Sequence, residues 1–191
     1  MILVRHGQSE FNVVFSVTRV DPGIRDPKLT PEGRRQAEAV AETLEGHGIL
    51  RLIASPYSRA LETAEIVARR LGVSVAVDPI VGERAAFACD IGTPRAELEA
   101  RWPDLALDHL EDQWWPTLEE SEAQLGERCA RFRTRMTGHA DWRAVAVITH
   151  WGFIRGLTGL TVPNCAALRI DPHRPELEPE PLHVPAPASP R

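Results

Sequence analysis

The stretch "ILVRHGQSEFN", residues 2–12, decides the fold of this chain. Its apolar residues, Ile2 to Val4, are typical of a short buried strand. That strand passes directly into Arg5 and His6, with a glycine after them. A histidine at the end of a buried strand, next to an arginine, has two possible roles. It is either packed and hydrogen-bonded as part of the structure, or it takes part in binding or catalysis.

Strands alternate with helices along most of the chain. Apolar segments predict strands at 2–4, 52–56, 73–77 and 144–149, and "ALRI", 167–170, predicts an edge strand. Amphipathic patterns predict helices from Thr30-Pro31, from Ser58 to Gly72, over 121–136 and from Phe153, with a short helix over 96–102. This alternation predicts an α/β fold, with a mostly parallel sheet flanked by helices on both faces.

The domain organisation follows from length and composition. The chain has 191 residues, 43% of them hydrophobic, which is enough for one domain with a full core. We expect this domain to span residues 1–171, with 83–118 as a variable insert over the active site. The proline-rich tail, 172–191, is expected to be disordered or extended. A polar loop is expected to follow the first strand, and we expect residues 13–29 and the insert to set specificity.

Charge and cysteine usage narrow the partners. The net charge of −5 gives no global reason to bind nucleic acid or an anionic membrane. No segment approaches the roughly 20 apolar residues of a transmembrane helix. Cys89, Cys129 and Cys165 lack disulfide or metal spacing, which predicts reduced thiols in a cytoplasm. The sequence leaves the oligomeric state open.

Several chemically capable residues follow the predicted strands. In open α/β sheets, ligands bind outside the carboxyl ends of the strands. The residues expected to meet at that edge are Arg5-His6-Gly7, Arg59, Glu83-Arg84 and His150. Guanidinium groups bind phosphate bidentately, and a neutral imidazole can attack phosphorus when its other nitrogen is fixed. A carboxylic acid can protonate the leaving oxygen. These parts predict covalent phosphoryl transfer with no metal and no other cofactor.

Four blocks of the sequence also resemble the histidine phosphatase, or phosphoglycerate mutase-like, superfamily. The blocks are "RHGQSEFN", "LTPEGRRQAEAVAETL", "SPYSRALETA" and "VITHWGFIRGL", in the order that the family shows. The resemblance implies that His6 is the phosphorylated nucleophile. It implies that Arg5, Arg59 and His150 build the phosphate pocket, with Asn12 assisting. Gly7, Gln8 and Ser9 match the motif and join Asn12 and Arg84 as the expected substrate contacts.

The proton donor separates two branches of this family. The acid phosphatase branch places an aspartate directly after the second histidine, whereas Trp151 stands there in this chain. In the mutase-like branch, which this chain resembles, the donor is a glutamate shortly after the third strand. That position points to Glu83, with Asp90 as the fallback. Arg84 could contact substrate or pair with a neighbouring carboxylate.

No catalytic role is expected for the remaining histidines and tryptophans. His47, His109, His139, His173 and His183 are expected to be structural. Trp114 and Trp115 lie in the insert and could cover the pocket, and Trp151 replaces a family glycine.

Phosphate-monoester hydrolysis is the function predicted from these features. A phosphoglycerate mutase is the alternative within the family, although the insert lacks the long basic segment that such mutases share. A binder of phosphorylated ligands without turnover is the alternative outside enzymes.

Overall fold

The computed structural model describes residues 1–185 of the chain. Its strands are Ile2–Arg5 (β1), Arg51–Ala54 (β2), Ser74–Val77 (β3), Val145–Thr149 (β4), Ala167–Arg169 (β5) and Glu180–His183 (β6). Its α-helices are Glu10–Thr18 (α1), Pro31–Leu44 (α2), Ser58–Leu71 (α3), Arg95–Arg101 (α4), Glu122–Thr137 (α5) and Trp151–Thr158 (α6). None of these helices is long and apolar enough to cross a membrane.

The described strands form one sheet in the order β3-β2-β4-β1-β5-β6. The first four of these strands are parallel, while β5 pairs antiparallel with β1 and β6 pairs antiparallel with β5. The register places Arg5 opposite Thr149, so β1 and β4 end side by side. The predicted α/β fold with a mostly parallel sheet is confirmed.

Two hydrophobic cores cover the two faces of the sheet. Ile2 and Val4 pack with α2 and α3 on one face, whereas Leu3 packs with α5 and α6 on the other. This alternation follows from the two-residue period of a strand. Helices on both faces are therefore also confirmed, and the ends of β1 and β4 are held rigidly between two packed layers.

Helix α1 differs from the loop that we expected after the first strand. Ser9 begins this helix with a capping box, in which its hydroxyl accepts from the Asn12 N–H and its own N–H bonds the Asn12 side chain. The helix sequence, "EFNVVFSVT", is rich in β-branched residues of low helix propensity. In the sequence, only the Ser9–Asn12 cap indicates that a helix begins here. These two residues also belong to the block "RHGQSEFN", and we interpreted them there as substrate contacts.

At residues 180–183 the tail is extended and not disordered, because these residues form β6. Leu182 packs against the core that contains α2, and the Thr43 hydroxyl hydrogen-bonds Nδ1 of His183 at 2.9 Å. Pro181 is tolerated because an edge strand needs only one side of its backbone for pairing. Strand β5 therefore lies inside the sheet and is not its edge. Residues 186–191 of the predicted tail lie outside the described residues.

Residues of the insert pack beside the sheet end. The predicted short helix is present as α4. Trp114 donates from Nε1 to the Thr93 carbonyl at 2.9 Å, and its ring lies 4.7 Å from that of Tyr57. A Cβ on Gly92 would stand 2.4 Å from the Trp114 ring. These contacts assign Trp114 to packing within the insert, and Trp115 contacts it edge-on at 5.5 Å.

Candidate active site

His6 and His150 lie beside one another where β1 and β4 end. Their ring centroids are 5.0 Å apart with an interplanar angle of 60°, and both side chains are buried. Both histidines directly follow paired residues of parallel strands, so the sheet itself sets this distance. The two imidazoles that the sequence predicts to meet are brought together.

The ring of His6 is fixed by its own loop. Nδ1 bonds the Gly7 carbonyl at 2.7 Å, which places the proton of the neutral ring on Nδ1. Burial, together with the charges of Arg59 and Arg5, holds the pKa of His6 well below its usual value. Nε2 therefore carries a free lone pair at neutral pH, as a nucleophile requires.

His150 is held from the opposite side by Ser55, a residue that the sequence analysis missed. Its Nε2 lies 2.8 Å from the Ser55 hydroxyl. Burial, with Arg59 as the next cause, also holds the pKa of His150 well below its usual value. When Ser55 donates to Nε2, the proton of the neutral ring lies on Nδ1, which has no hydrogen-bond partner among the described residues. That N–H can donate to a phosphoryl oxygen.

Two arginines supply positive charge beside the histidines. Arg59, in the first turn of α3, is buried and donates to the Cys89 carbonyl at 2.8 Å and to Asp90 at 3.2 Å. Arg5 donates to the Val162 carbonyl at 2.8 Å. Burial lowers the pKa of Arg5 to about 10, so its guanidinium stays charged at neutral pH. Both arginines line the same cleft as His6.

Glu83 lies across the cleft at the start of α6. Its Oε1 accepts from the backbone N–H of Gly152 at 2.8 Å and from that of Arg84 at 2.9 Å. Burial, reinforced by the negative charge of Asp90, raises the pKa of Glu83 above its usual value. A carboxyl that keeps its proton to higher pH is suited to donate it.

Asp90 is occupied by the protein. Its Oδ1 accepts from Arg59, and its Oδ2 accepts from the backbone N–H groups of Ala86 and Phe87 at 3.0 Å each. The side chain is 2% exposed. Asp90 therefore fixes Arg59 and the insert, and the geometry favours Glu83 over this fallback as the proton donor.

The expected substrate contacts around His6 divide into packing and lining residues. A Cβ on Gly7 would stand 2.3 Å from the Gly33 carbonyl oxygen, so close approach to α2 alone explains a glycine there. Gln8, Ser9 and Asn12 line the cleft. The side-chain oxygen of Gln8 accepts from Thr30 at 2.8 Å, while Ser9 and Asn12 bond each other in the cap of α1.

Arg84 and Trp151 lie at the cleft, but each also has a partner within the protein. Arg84 donates to the Glu120 carbonyl at 2.8 Å and pairs with Glu119 at 3.0 Å. Trp151 begins α6, is 38% exposed, and its ring lies 5.1 Å from the guanidinium of Arg155. Trp151 is thus part of the cleft wall.

The cleft that joins these residues has a volume of about 440 Å³. Its lining includes Arg5, His6, Arg59 and Glu83, together with residues of α1 and of the start of the insert. Such a cleft is large enough for a phosphate group together with a leaving group of moderate size.

The sequence matches a known protein family over most of its length. The sequence model of the histidine phosphatase superfamily (branch 1) matches residues 1–173. The chain belongs to the histidine phosphatase superfamily. Its resemblance to the mutase-like branch, noted from the sequence, is confirmed by this match.

Two curated relatives of this histidine phosphatase chain have different names. A glucosyl-3-phosphoglycerate phosphatase of Mycolicibacterium vanbaalenii is 31% identical over 88% of this chain and 78% of its own length. A probable phosphoglycerate mutase of Yersinia enterocolitica is 32% identical over 74% of this chain and 61% of its own length. The phosphatase match thus extends over more of both chains, and it supports phosphate-monoester hydrolysis of the histidine phosphatase type.

Solved structures show the shared fold. A mycobacterial glucosyl-3-phosphoglycerate phosphatase in complex with VO3 superposes with a TM-score of 0.65 at 23% identity, covering 95% of this chain and 96% of its own. The ecdysone phosphate phosphatase of Bombix mori, in complex with tungstate, gives a TM-score of 0.67 at 17% identity, covering 100% and 94%.

Besides Ser55, two further residues of this histidine phosphatase site escaped the sequence analysis. Asn164 donates from Nδ2 to the His6 carbonyl and to Oδ1 of Asn12, at 3.1 Å each. Arg128, on α5, donates to the carbonyls of Ile80, Gly82 and Glu83. Asn164 lies in an irregular segment, and Arg128 is one of several arginines on a polar helix, so no local signal singles either out.

Proposed function

We propose that this protein hydrolyses phosphate monoesters through a phosphohistidine at His6. The observation that carries the proposal is the pairing of a neutral His6, whose Nδ1 is fixed by the Gly7 carbonyl, with His150 at 5.0 Å. A neutral imidazole with one nitrogen fixed and the other free is a nucleophile for phosphorus. The nearby arginines supply the charge that holds a phosphate dianion.

The first step forms the phosphoenzyme. Nε2 of His6 attacks phosphorus, the N–P bond forms, and the bond from phosphorus to the leaving oxygen breaks. Glu83 gives its proton to that oxygen, and the alcohol departs. Arg5, Arg59 and His150 stabilise the charge that spreads over the phosphoryl oxygens.

The second step returns the enzyme. Water attacks phosphorus, Glu83 takes a proton from that water, and the N–P bond breaks to regenerate His6. Asn12 and Asn164 assist by holding the loop that carries His6, since Asn164 bonds both the His6 carbonyl and Asn12. The substrate contacts that we retain are Gln8, Ser9 and Asn12, which line the cleft.

The proposed setting is the cytoplasm, with a small phosphorylated molecule as substrate. Support for this setting comes from Cys89, Cys129 and Cys165, which are buried free thiols. Reduced cysteines are typical of that compartment.

Trapping of the phosphoenzyme tests the mechanism. The protein is mixed with a ³²P-labelled aryl phosphate in the presence of a chelator, quenched in alkali and digested. We expect an acid-labile label on the peptide that contains His6. His6→Ala should abolish both label and turnover, whereas His139→Ala, at an exposed histidine, should change neither. A label on another residue would overturn the assignment, and vanadate binding without turnover would favour the non-catalytic binder.

The mutase relative keeps phosphoglycerate mutation as the second candidate. Its test is the addition of 3-phosphoglycerate with a trace of bisphosphoglycerate. Formation of 2-phosphoglycerate faster than inorganic phosphate would support the mutase, and release of phosphate alone would support the hydrolase.

A further inference from the structure

Three phenylalanines, from α1 and the insert, form one wall of the cleft. Phe11 and Phe15 belong to α1 and stack at 5.0 Å between ring centroids. Phe87, from the insert, lies 5.7 Å from Phe11 and 5.1 Å from Phe15. We call Phe11, Phe15 and Phe87 the aromatic wall. All three line the cleft that also contains His6 and Glu83.

The aromatic wall keeps apolar surface open to the cleft. Phe11 is buried, Phe15 is half-buried, and Phe87 is 44% exposed. A phenylalanine with this exposure has ring surface in contact with water, which a ligand could cover with a gain in free energy. An aromatic ligand would gain further from edge-to-face or offset stacking.

Polar groups along the cleft are largely occupied by the protein itself. Gln8 accepts from Thr30, the Ser9 hydroxyl bonds Asn12, and Ser16 donates to the Val13 carbonyl. The Arg84 guanidinium is held by Glu119 and the Glu120 carbonyl. The side-chain NH2 groups of Gln8 and Asn12 form no hydrogen bond among the described residues, so they are the donors that a sugar or other polyhydroxylated leaving group would find, whereas an apolar group needs none.

Arg19 adds a positive charge to this part of the cleft. It follows α1, and its guanidinium carbon lies 6.0 Å from the Phe15 ring, among the cleft-lining residues. Within residues 1–185 it forms no ion pair with a carboxylate. A leaving group with a carboxylate could use this charge, so the test below includes one.

We propose that the leaving group is an apolar, ring-bearing alcohol that lies against the aromatic wall. The inference rests on the proposed phosphatase function and names its substrate class. In the bound state the phosphate contacts Arg5 and Arg59, and the ring covers Phe15 and Phe87.

A series of esters of primary alcohols tests the preference, because their leaving oxygens have similar chemistry. Ethyl phosphate, 3-phenylpropyl phosphate, glycerol 3-phosphate and 3-phosphoglycerate are compared by released phosphate. We expect kcat/KM for the phenylpropyl ester to exceed that for ethyl phosphate about 10- to 100-fold, as burial of one ring gives. The glycerol ester should resemble ethyl phosphate.

Two other results have separate meanings. Equal kcat/KM across the series, or a preference for 3-phosphoglycerate, would overturn the apolar leaving group and leave the phosphatase intact. No hydrolysis of any ester, nor of an aryl phosphate, would overturn the proposed function itself.

Substitutions in the aromatic wall test whether these side chains cause the preference for the phenylpropyl ester. Phe87→Ala and Phe15→Ala should each reduce the ratio of kcat/KM for phenylpropyl and ethyl phosphates by about tenfold. Phe15→Leu, which keeps apolar bulk, covers the case in which Phe15→Ala does not fold. Val17→Ala is the matched control, because Val17 is an 82% exposed residue of α1 outside the cleft lining. An unchanged ratio in Phe87→Ala, at the more exposed of the two positions, would overturn the proposal.

Discussion

The carboxylate of Glu83 accepts a hydrogen bond from the backbone N–H of Gly152 at 2.8 Å. Gly152 lies in the first turn of α6, where backbone N–H groups have no partner within the helix. A Cβ at this position would stand 2.3 Å from Oε1 of Glu83. The carboxyl group is therefore hydrogen-bonded to the helix that begins directly after His150, although 66 residues of sequence lie between positions 83 and 150.

Replacement of Glu83 should affect esters according to their leaving group. Alkoxide departure needs a proton, so Glu83→Gln should slow turnover of an alkyl phosphate by about 10² or more. An aryl phosphate should lose much less, because phenolates leave without protonation. Steady-state rates for the two esters check this. Equal losses for both would remove Glu83 from the role of acid.

The dependence of activity on pH should reflect the lowered pKa of His6 and the raised pKa of Glu83. Because the pKa of His6 is lowered, the neutral nucleophile persists as the pH falls below 6.5, and activity is lost only at lower pH. Because the pKa of Glu83 is raised, the acid stays protonated above pH 4.5 and activity falls as the pH rises past its pKa.

The comparison of wild type with Glu83→Gln isolates the second effect. Both are measured on one ester, so the titration of the substrate phosphate, with a pKa of about 6, is common to both profiles. We expect the alkaline decline to weaken in the variant. An identical decline would assign it to the substrate.

Gly152→Ala should displace Glu83 without removing it. We expect turnover of an alkyl phosphate to fall about tenfold or more, since small displacements of a catalytic group are costly. Gly126→Ala is the control, because a Cβ at Gly126 in α5 meets nothing within 4 Å. Kinetics of both variants check the prediction, and equal activity in the two would show that the contact with Gly152 does not position the acid.

Arg128 should act as a positioning residue for Glu83. It donates to the Gly82 carbonyl at 2.8 Å and to the Glu83 carbonyl at 3.2 Å, while pairing with Glu120. Arg128→Lys keeps the charge beside Glu120 but loses the planar fork that reaches several carbonyls. We expect a loss of about tenfold in kcat that is larger for alkyl than for aryl phosphates.

The control for Arg128 is Arg131→Lys on the exposed side of the same helix. It should leave both rates unchanged. A loss in Arg128→Lys that is equal for the two esters would indicate a structural role alone.

Asp26 should stabilise the helix that carries Arg59. Its carboxylate accepts from the Ser58 N–H at 2.8 Å and from the Ser58 hydroxyl, whereas the N-cap residue itself, Tyr57, gives no side-chain cap. Asp26→Ala should lower the free energy of unfolding by about 0.5–2 kcal/mol. Urea denaturation checks this value. Asp104→Ala, at an exposed site, is the control, and an equal effect there would exclude capping.

Sequence patterns located the parts of the site that depend on strands. The apolar runs of β1 and β4 end directly at His6 and His150, so their pairing followed from a parallel sheet. Thr30 and Gly72 marked the ends of α2 and α3, because caps are local signals.

Other parts depend on contacts that local patterns do not encode. The valines of α1 favour strands in isolation, and only burial of Phe11 beside its cap makes the helix favourable. Ser55, Asn164 and Arg128 bond residues that are distant in sequence. The β-strand at 180–183 was not predicted because Pro181 lies within it and Pro179 directly precedes it.

Because β1 pairs with β4, the active site can form only late in synthesis or refolding, when both strands are present. Arg5 lies beside Thr149, so most of the chain must emerge from the ribosome before both strands exist. Such non-local pairing is slow relative to local helix formation. Regain of enzymatic rate after denaturation should therefore follow closure of the central sheet and lag behind the recovery of helical signal.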